Sequence, residues 1–424
     1  MPEPLVRALG ALPLPDWLLA AFAHPDFLKY ASIPVVAGLV GWITNWAAIE
    51  LTFKPLRFVG WKPWLGWQGI IPSKAAKMAS IFVDSTMARL GTLPELFEQM
   101  EPDVISRQIV RVMSPRMERY ADRLMLEVDA DLWRNTPELI KQGIYERLRK
   151  NLPKVVDQLM AEASEQVEDP IDFKHMLTTR LVEDPALLNR LFIESGTKEF
   201  RFLVRSGLYF GFLFGIVQLA VWIVHPAAWV LPAFGVAVGY ATNWIALNLI
   251  FRPLHPKKVG PWTLQGLFLK RQKEVAVVWC GLVTRHIVTV RALAYAMIFG
   301  PHRDRTADLV RKHLQPIVLE GAGPMLIPAQ LAVGQDALDE LTRRVGDISV
   351  EVSREPFDDW HFNRERAVVV ERLLRERMEA LSSEEFQDLL RPCFQEDELK
   401  LILVGAFLGG LAGLGQLFFV FGGG

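Results

Sequence analysis

Apolar and polar positions vary on two scales along the chain. On the longer scale, four stretches stay apolar for about 18 residues or more, enough helix to cross a hydrocarbon core of about 30 Å. They cover residues 31–53, 205–224, 229–251 and 399–421, with Glu50 near the end of the first. On the shorter scale, the segments between them place apolar residues every three or four positions, the period of a helix with one buried face. Ile140, Ile144, Leu148, Leu152, Val155 and Leu159 form one stripe, and Pro153 predicts a kink in it. Leu338, Leu341, Val345, Ile348 and Val352 form a second; Val368, Val370, Leu373, Leu374 and Met378 form a third. Alternating strand patterns are rare. The pattern therefore predicts an all-α integral membrane protein, with four transmembrane helices and helical bundles between them.

The chain also repeats itself. Residues 41–56, GWITNWAAIELTFKPL, match residues 239–254, GYATNWIALNLIFRPL, at nine of sixteen positions and an offset of 198. The same offset lays Gly207, Gly211, Gly215, Gln218 and Leu219 on Gly405, Gly409, Gly413, Gln416 and Leu417. The predicted organisation is an N-terminal segment at 1–30, a first repeat at 31–224 with a helical insertion at 54–204, a turn at 225–230, and a second repeat at 231–422 with a helical insertion at 252–398. Two tandem parallel repeats follow, related most simply by an axis along the membrane normal. Within 1–30, Ala21-Phe-Ala23 imitates a signal cleavage site, but Pro13, Pro15 and Asp16 interrupt the apolar run, so a short interfacial helix is expected. The apolar run 314–333 is broken by Pro316, Gly321, Gly323, Pro324 and Pro328, and fits either a re-entrant loop or a loop buried on the bundle.

Both insertions must lie on one side of the bilayer, and charge chooses the side. Lys54, Arg57, Lys62, Lys74 and Lys77 follow the first span with no acid before Asp84. Arg252, Lys257, Lys258, Lys270, Arg271 and Lys273 follow the third with no acid before Glu274, whereas the turn at 225–230 has no Lys or Arg. The positive-inside rule makes the insertions cytoplasmic, with the turn and both termini outside.

Composition narrows the chemistry. Hydrophobic residues make up 51% of the 424 positions while charged residues are 22%, so the apolarity is concentrated in segments. A net charge of −1 argues against nucleic acid as a partner. Cys280 and Cys393 are too few and too far apart for a disulfide scaffold or a cysteine metal site. There is no phosphate-binding loop, nucleophile elbow or His-Glu-x-x-His, and no catalytic residue, metal or cofactor is expected. Asp358-Asp-Trp-His361 holds metal-ligating residue types without a second cluster and fits a solvated helix start. Glu199 and Glu396-Asp-Glu398 read as membrane-boundary charges.

Two sets of residues are candidates for function. In the first and third spans, Ala37, Gly41 and Asn45, and Gly235, Gly239 and Asn243, form small-residue ridges ending in an amide, flanked by Thr44 and Thr242. Gly207, Gly211, Gly215 and Gln218, and Gly405, Gly409, Gly413 and Gln416, form the complementary ridges of the second and fourth spans. Counted from the span's outer end, Asn45 is expected deep in the bilayer, where an amide must find a partner. The ridges are either helix–helix glue or the lining of a polar path between the repeats. The second set is a basic, aromatic collar after each of these spans. It contains Lys54, Arg57, Trp61, Lys62, Trp64 and Trp67 in the first copy, and Arg252, Lys257, Lys258 and Trp262 in the second. Indole rings favour the headgroup level and cations favour anionic lipid, so the collar either anchors the protein or recognises a headgroup.

The doubled Gly-x-x-Thr-Asn-x-x-Ala-x-x-x-x-Phe-[Lys/Arg]-Pro-Leu motif, followed by Gln-Gly, resembles the YheB/YjiN-like group of prokaryotic membrane proteins of unknown function. The run from Phe394 to Ile402 entering a Gly-rich last span is similar to the closing segment of that family. The resemblance covers nearly the whole chain from about Ile33 and implies a bacterial inner-membrane location, but brings no activity or catalytic residue. The expected function is a non-enzymatic scaffold or lipid-contacting element. The alternatives are a transporter or lipid-transfer protein using the repeat interface, and a lipid-modifying enzyme. Membrane lipids, above all anionic ones, are the expected partners, together with a second copy of the chain or another membrane protein.

Overall fold

The computed structural model describes residues 27–61, 65–81, 83–84, 88–128, 130–322, 343, 353–395 and 398–422. The segment 1–26, Lys62 and Trp64, the Trp262 side chain, the apolar stripe from Leu338 to Val352 and the run beyond 322 lie outside the described residues. Among the described residues, four helices are long and apolar enough to cross a membrane: Phe27–Phe53, Pro185–Val224, Val230–Phe251 and Glu398–Val420. The second starts twenty residues before the expected boundary at 205, because Pro185 suits a first helical position and no helix breaker follows until His225-Pro226. A bent pair, Gln272–His286 and Val290–Phe299, is together long and apolar enough as well, though polar residues interrupt its apolar run. Trp279, Cys280, Val283, Val288 and Leu293 of that pair are at most 2% exposed, so its apolar residues serve a protein core.

Contacts divide the chain into two compact units, one of Met1–Met78, Leu188–Val275 and Leu381–Gly424, the other of Ala79–Leu187 and Ala276–Ala380. This division crosses the expected insertion boundaries at 54–204 and 252–398, since both ends of each insertion belong with the spans.

In the first unit, helix backbones meet without side chains between them. A Cβ built on Gly41 would overlap the Gly207 carbonyl oxygen, one on Gly211 would lie 2.5 Å from the Ala37 oxygen, and one on Gly215 would lie 2.5 Å from the Pro34 Cα. The rising and falling numbers make this pair antiparallel. The same contacts recur 198 residues later: Gly239 faces the Gly405 carbonyl, Gly235 and Gly409 face each other, and Gly413 approaches the Leu231 oxygen. Such proximity gains van der Waals contact in a solvent where apolar side chains gain little by leaving lipid. The opposite faces expose Leu39, Trp42, Ile43 and Trp46 in the first span, and Phe407, Leu411, Leu414 and Phe418 in the fourth. Apolar bands of this extent mark contact with lipid or another protein.

The shared Phe-[Lys/Arg]-Pro-Leu and Gln-Gly motifs close one loop in each half. After cis Lys54-Pro55 the chain forms a hairpin, Val59–Trp61 with Leu65–Trp67; after cis Arg252-Pro253 it forms Lys257–Val259 with Trp262–Leu264. Gly69 N–H donates to the Pro55 oxygen at 2.9 Å and Gly266 N–H to Pro253 at 3.0 Å, while Gln68 donates to Leu56 at 2.9 Å and Gln265 to Leu254 at 3.4 Å. Glycine is required because a Cβ on Gly69 or Gly266 would lie 2.7 or 2.8 Å from the carbonyl carbon of Phe53 or Phe251. The collar is thus folded as two-stranded hairpins, an exception to the all-helical reading that arises from these loop bonds.

The second unit is helical. Glu138–Glu165 runs unbroken through Pro153, burying Leu152 and Val155 and half-burying the other members of its stripe. In Trp360–Ala380 the buried face is Ala367, Val370, Leu374 and Met378, at spacings of three and four residues; Val368, expected with them, is 53% exposed because it is turned one position off that face. Asp122 accepts hydrogen bonds from Trp133 Nε1 at 2.9 Å and from the Tyr145 hydroxyl. A cavity of about 210 Å³ lies among apolar side chains that include Met100, Leu152, Met160, Leu293 and Phe357. Asp358-Asp-Trp-His361 is a helix start, with Asp359 accepting from the N–H of His361 and Asp358 paired with Arg291 at 3.3 Å.

Arg377 grips Glu95 with two bonds of 2.8 and 2.9 Å, and Thr92 N–H adds a third at 2.9 Å. These charges and donors, the arginine first, hold the Glu95 carboxyl down to about 2 from its ordinary 4.5. A depressed carboxylate stabilises the fold above its unfolded pKa and loses that contribution as pH falls through the folded value. The Glu95→Gln variant should therefore melt below the parent protein at pH 7, and the gap should close between pH 4.5 and about 2 when followed by circular dichroism. In the first unit, Gly211→Leu or Gly409→Leu should force the backbones apart and cost about 1–3 kcal/mol. An unchanged unfolding midpoint in detergent would contradict the backbone contact.

Candidate functional site

Thr44, Asn45, Thr242 and Asn243 lie toward the ends of their spans from which the insertions begin. Asn45 Nδ2 donates to the Leu203 carbonyl at 2.7 Å, and Asn243 Nδ2 to Leu401 at 2.9 Å. Each amide therefore bonds to the main chain of the neighbouring span, and not to Gln218 or Gln416. The glycine ridges make this possible by bringing that backbone within reach. Thr44 bonds back to Gly41 at 3.1 Å and Thr242 to Val238 at 2.8 Å, which satisfies both hydroxyls inside their own helices. Gln218 and Gln416 are buried at the other end of the ridges, Gln416 with Nε2 lacking a partner.

The amides are not in the middle of the spans. Leu203 lies 21 residues from Val224 and Leu401 19 residues from Val420, about 31 and 28 Å of helix, one full hydrocarbon thickness. The described helix of the first span begins at Phe27, four residues before the expected 31, so Asn45 is 18 residues along it.

One turn beyond Leu203, Glu199 is only 2% exposed and pairs with Arg271 at 2.5 Å. Arg271 also reaches Glu274 at 3.0 Å, and Lys198 holds the same Glu274 at 2.7 Å. The boundary charge read from sequence is thus the buried member of a four-residue network. The second Glu199 oxygen, Ser195 Oγ and Asn243 Oδ1 have no partner among the described residues, and these three residues line one cavity of about 40 Å³. Phe53, Phe200, Leu203, Phe251, Phe268 and Leu401 complete its walls. A water needs roughly 10–15 Å³, so the cavity has room for a few waters at most.

Two amides missed in the sequence tie the helix ends. Asn189 Nδ2 donates to the Phe53 carbonyl at 2.6 Å, and Gln387, 198 residues later, donates to Phe251 at 2.9 Å in the amide orientation that satisfies both its ends. The recurring offset is the signal that marks them.

Two open grooves flank this region. One, of about 440 Å³, lies between the first two spans and holds Trp42, Trp46, Glu50, Lys54, Arg201 and Arg205. The other, of about 450 Å³, holds Trp244, Asn248, Leu249, Arg252, Leu254 and Arg391. The collar residues Lys54 and Arg252 thus reach a groove, whereas Arg57, Trp61, Lys257 and Lys258 are exposed and line neither. Among the described residues no cluster of three His, Cys, Asp or Glu side chains is placed to hold a metal.

The chain is similar to two bacterial proteins over a short stretch. It is 39% identical over 66 residues to a UPF0754 membrane protein of Shouchella clausii (strain KSM-K16), covering 15% of this chain and 17% of that one. It is 34% identical over 62 residues to a UPF0754 protein of Alkalihalophilus pseudofirmus, covering 14% and 16%. The matched stretch spans about a sixth of the length of each relative. No family model matches the chain, and no solved structure is significantly similar to it. With its four apolar helices, the likeness supports a membrane location.

Removing one member of a buried ion pair strands the other, at a cost of about 3–5 kcal/mol, whereas exposed pairs contribute about 0–1 kcal/mol. Arg271→Ala should therefore lower the unfolding midpoint much more than Lys198→Ala. Adding Glu199→Gln to Arg271→Ala should restore part of the loss, as read by a double-mutant cycle in detergent.

Proposed function

We propose that this chain is a non-enzymatic bacterial inner-membrane protein, a scaffold that contacts lipid. It consists of two tandem parallel repeats with helical cytoplasmic insertions and outward termini. The observation that carries this reading is the bonding of Asn45 and Asn243 to the backbone of the neighbouring span. A polar path needs amides facing a lumen. Here their N–H groups are engaged, the ridge backbones touch, and the space beside Asn243 takes only a few waters. The repeat organisation is supported by the bonds and glycine contacts that recur at an offset of 198. The orientation is supported by the cations after the first and third spans.

The test is reconstitution into vesicles of phosphatidylglycerol and phosphatidylcholine. A scaffold should leave fluorescent phospholipid exchange between leaflets and the decay of an ion gradient at protein-free rates. The Asn45→Leu, Asn243→Leu variant should lose about 1 kcal/mol or less per site, since hydrogen bonds between membrane helices average roughly 0.6 kcal/mol. Exchange or leakage above the protein-free level, abolished in a folded double variant, would establish the transport reading in its place.

A further inference from the structure

We infer that the two grooves are matched sites for the headgroup of an anionic phospholipid, one in each repeat. This deepens the lipid-contacting half of the proposed function and rests on that reading. At the offset of 198, Trp46 corresponds to Trp244, Glu50 to Asn248, Lys54 to Arg252 and Ile193 to Arg391, so the grooves use equivalent positions. Their charges are arranged differently with the same result. In the first, Lys54 is neutralised by Glu50 at 3.0 Å, while Arg201 and Arg205 are exposed and make no ion pair among the described residues. In the second, Asn248 replaces the acid, and Arg252 and Arg391 make no ion pair among the described residues, Arg391 bonding the Gln387 amide. Two uncompensated guanidinium groups remain in each.

The level suits a headgroup. Arg205 is 19 residues from Val224, about 28 Å of helix, which places it at the edge of a hydrocarbon core spanned from the other end. Arg252 follows the last residue of its span. Trp46 and Trp244 are each 50% exposed at this same level, where an indole favours the interface. Guanidinium forks match phosphate oxygens. The walls between the cations are apolar, with Trp42, Ile193 and Phe200 in the first groove and Ile245, Leu249 and Leu254 in the second, and these suit glycerol and the first acyl carbons. Inorganic phosphate would leave those walls unused. A zwitterionic lipid would bring an ammonium to grooves whose only carboxylate, Glu50, is already paired.

The experiment is native mass spectrometry of the full-length chain released from vesicles with equal phosphatidylglycerol and phosphatidylcholine. Two phosphatidylglycerol molecules should remain on each chain, favoured on the order of tenfold over phosphatidylcholine, as two interfacial cations per groove allow. Arg201→Ala with Arg205→Ala should remove one, and Arg252→Ala should remove the other; all three side chains are exposed, and circular dichroism checks that the variants are folded. Addition of inorganic phosphate should displace neither. Equal retention of the two lipids, unchanged retention in the folded variants, displacement by phosphate, or a dimer that the same substitutions dissociate would each overturn the assignment. Leakage with intact lipid preference sinks only the scaffold reading, and loss of preference without leakage sinks only this one.

Discussion

Backbone-to-backbone contact between antiparallel spans is the constraint on which the rest of the first unit depends. With Gly41 against Gly207 and Gly239 against Gly405, a side chain in either ridge would meet a carbonyl group. Only at that separation can the short Asn45 and Asn243 side chains reach across to Leu203 and Leu401. The amide bonds then fix the sliding register of each pair, because an unmet donor in an apolar setting costs more than the bond itself supplies. Where the ridges end, the helices carry bulkier residues, and the cavity beside Ser195 and Glu199 opens.

That change of packing concentrates polar chemistry at one end of the spans. Glu199 is buried there against Arg271, which also pairs with Glu274, itself held by Lys198. Asn189 and Gln387 cap the ends of the first and third spans, and the Gln-Gly loops fold back on the same ends. The ends are tied by these bonds, while Arg201, Arg205 and Arg252 make no ion pair among the described residues and lie beside exposed tryptophans. The second unit follows ordinary soluble rules, with four-residue stripes turned inward and exposed ion pairs such as Glu95–Arg377 outside.

Much of this was legible in the sequence because its physical causes are local. Eighteen or more apolar residues specify a span whatever their neighbours do, and the 198-residue offset pointed to equivalent places in both halves. Glycines every four residues beside an asparagine indicated close helix contact. Tertiary structure decided what those residues touch. The partner of each amide is a carbonyl on a chain segment 158 residues away, which spacing alone cannot identify. The burial of Glu199 depends on Arg271 arriving from another helix, and the collar divides into groove residues and exposed hairpin residues only once the loop closes. Composition and period describe what a segment must bury, but a hydrogen bond or ion pair between distant segments exists only when packing brings both groups to one place.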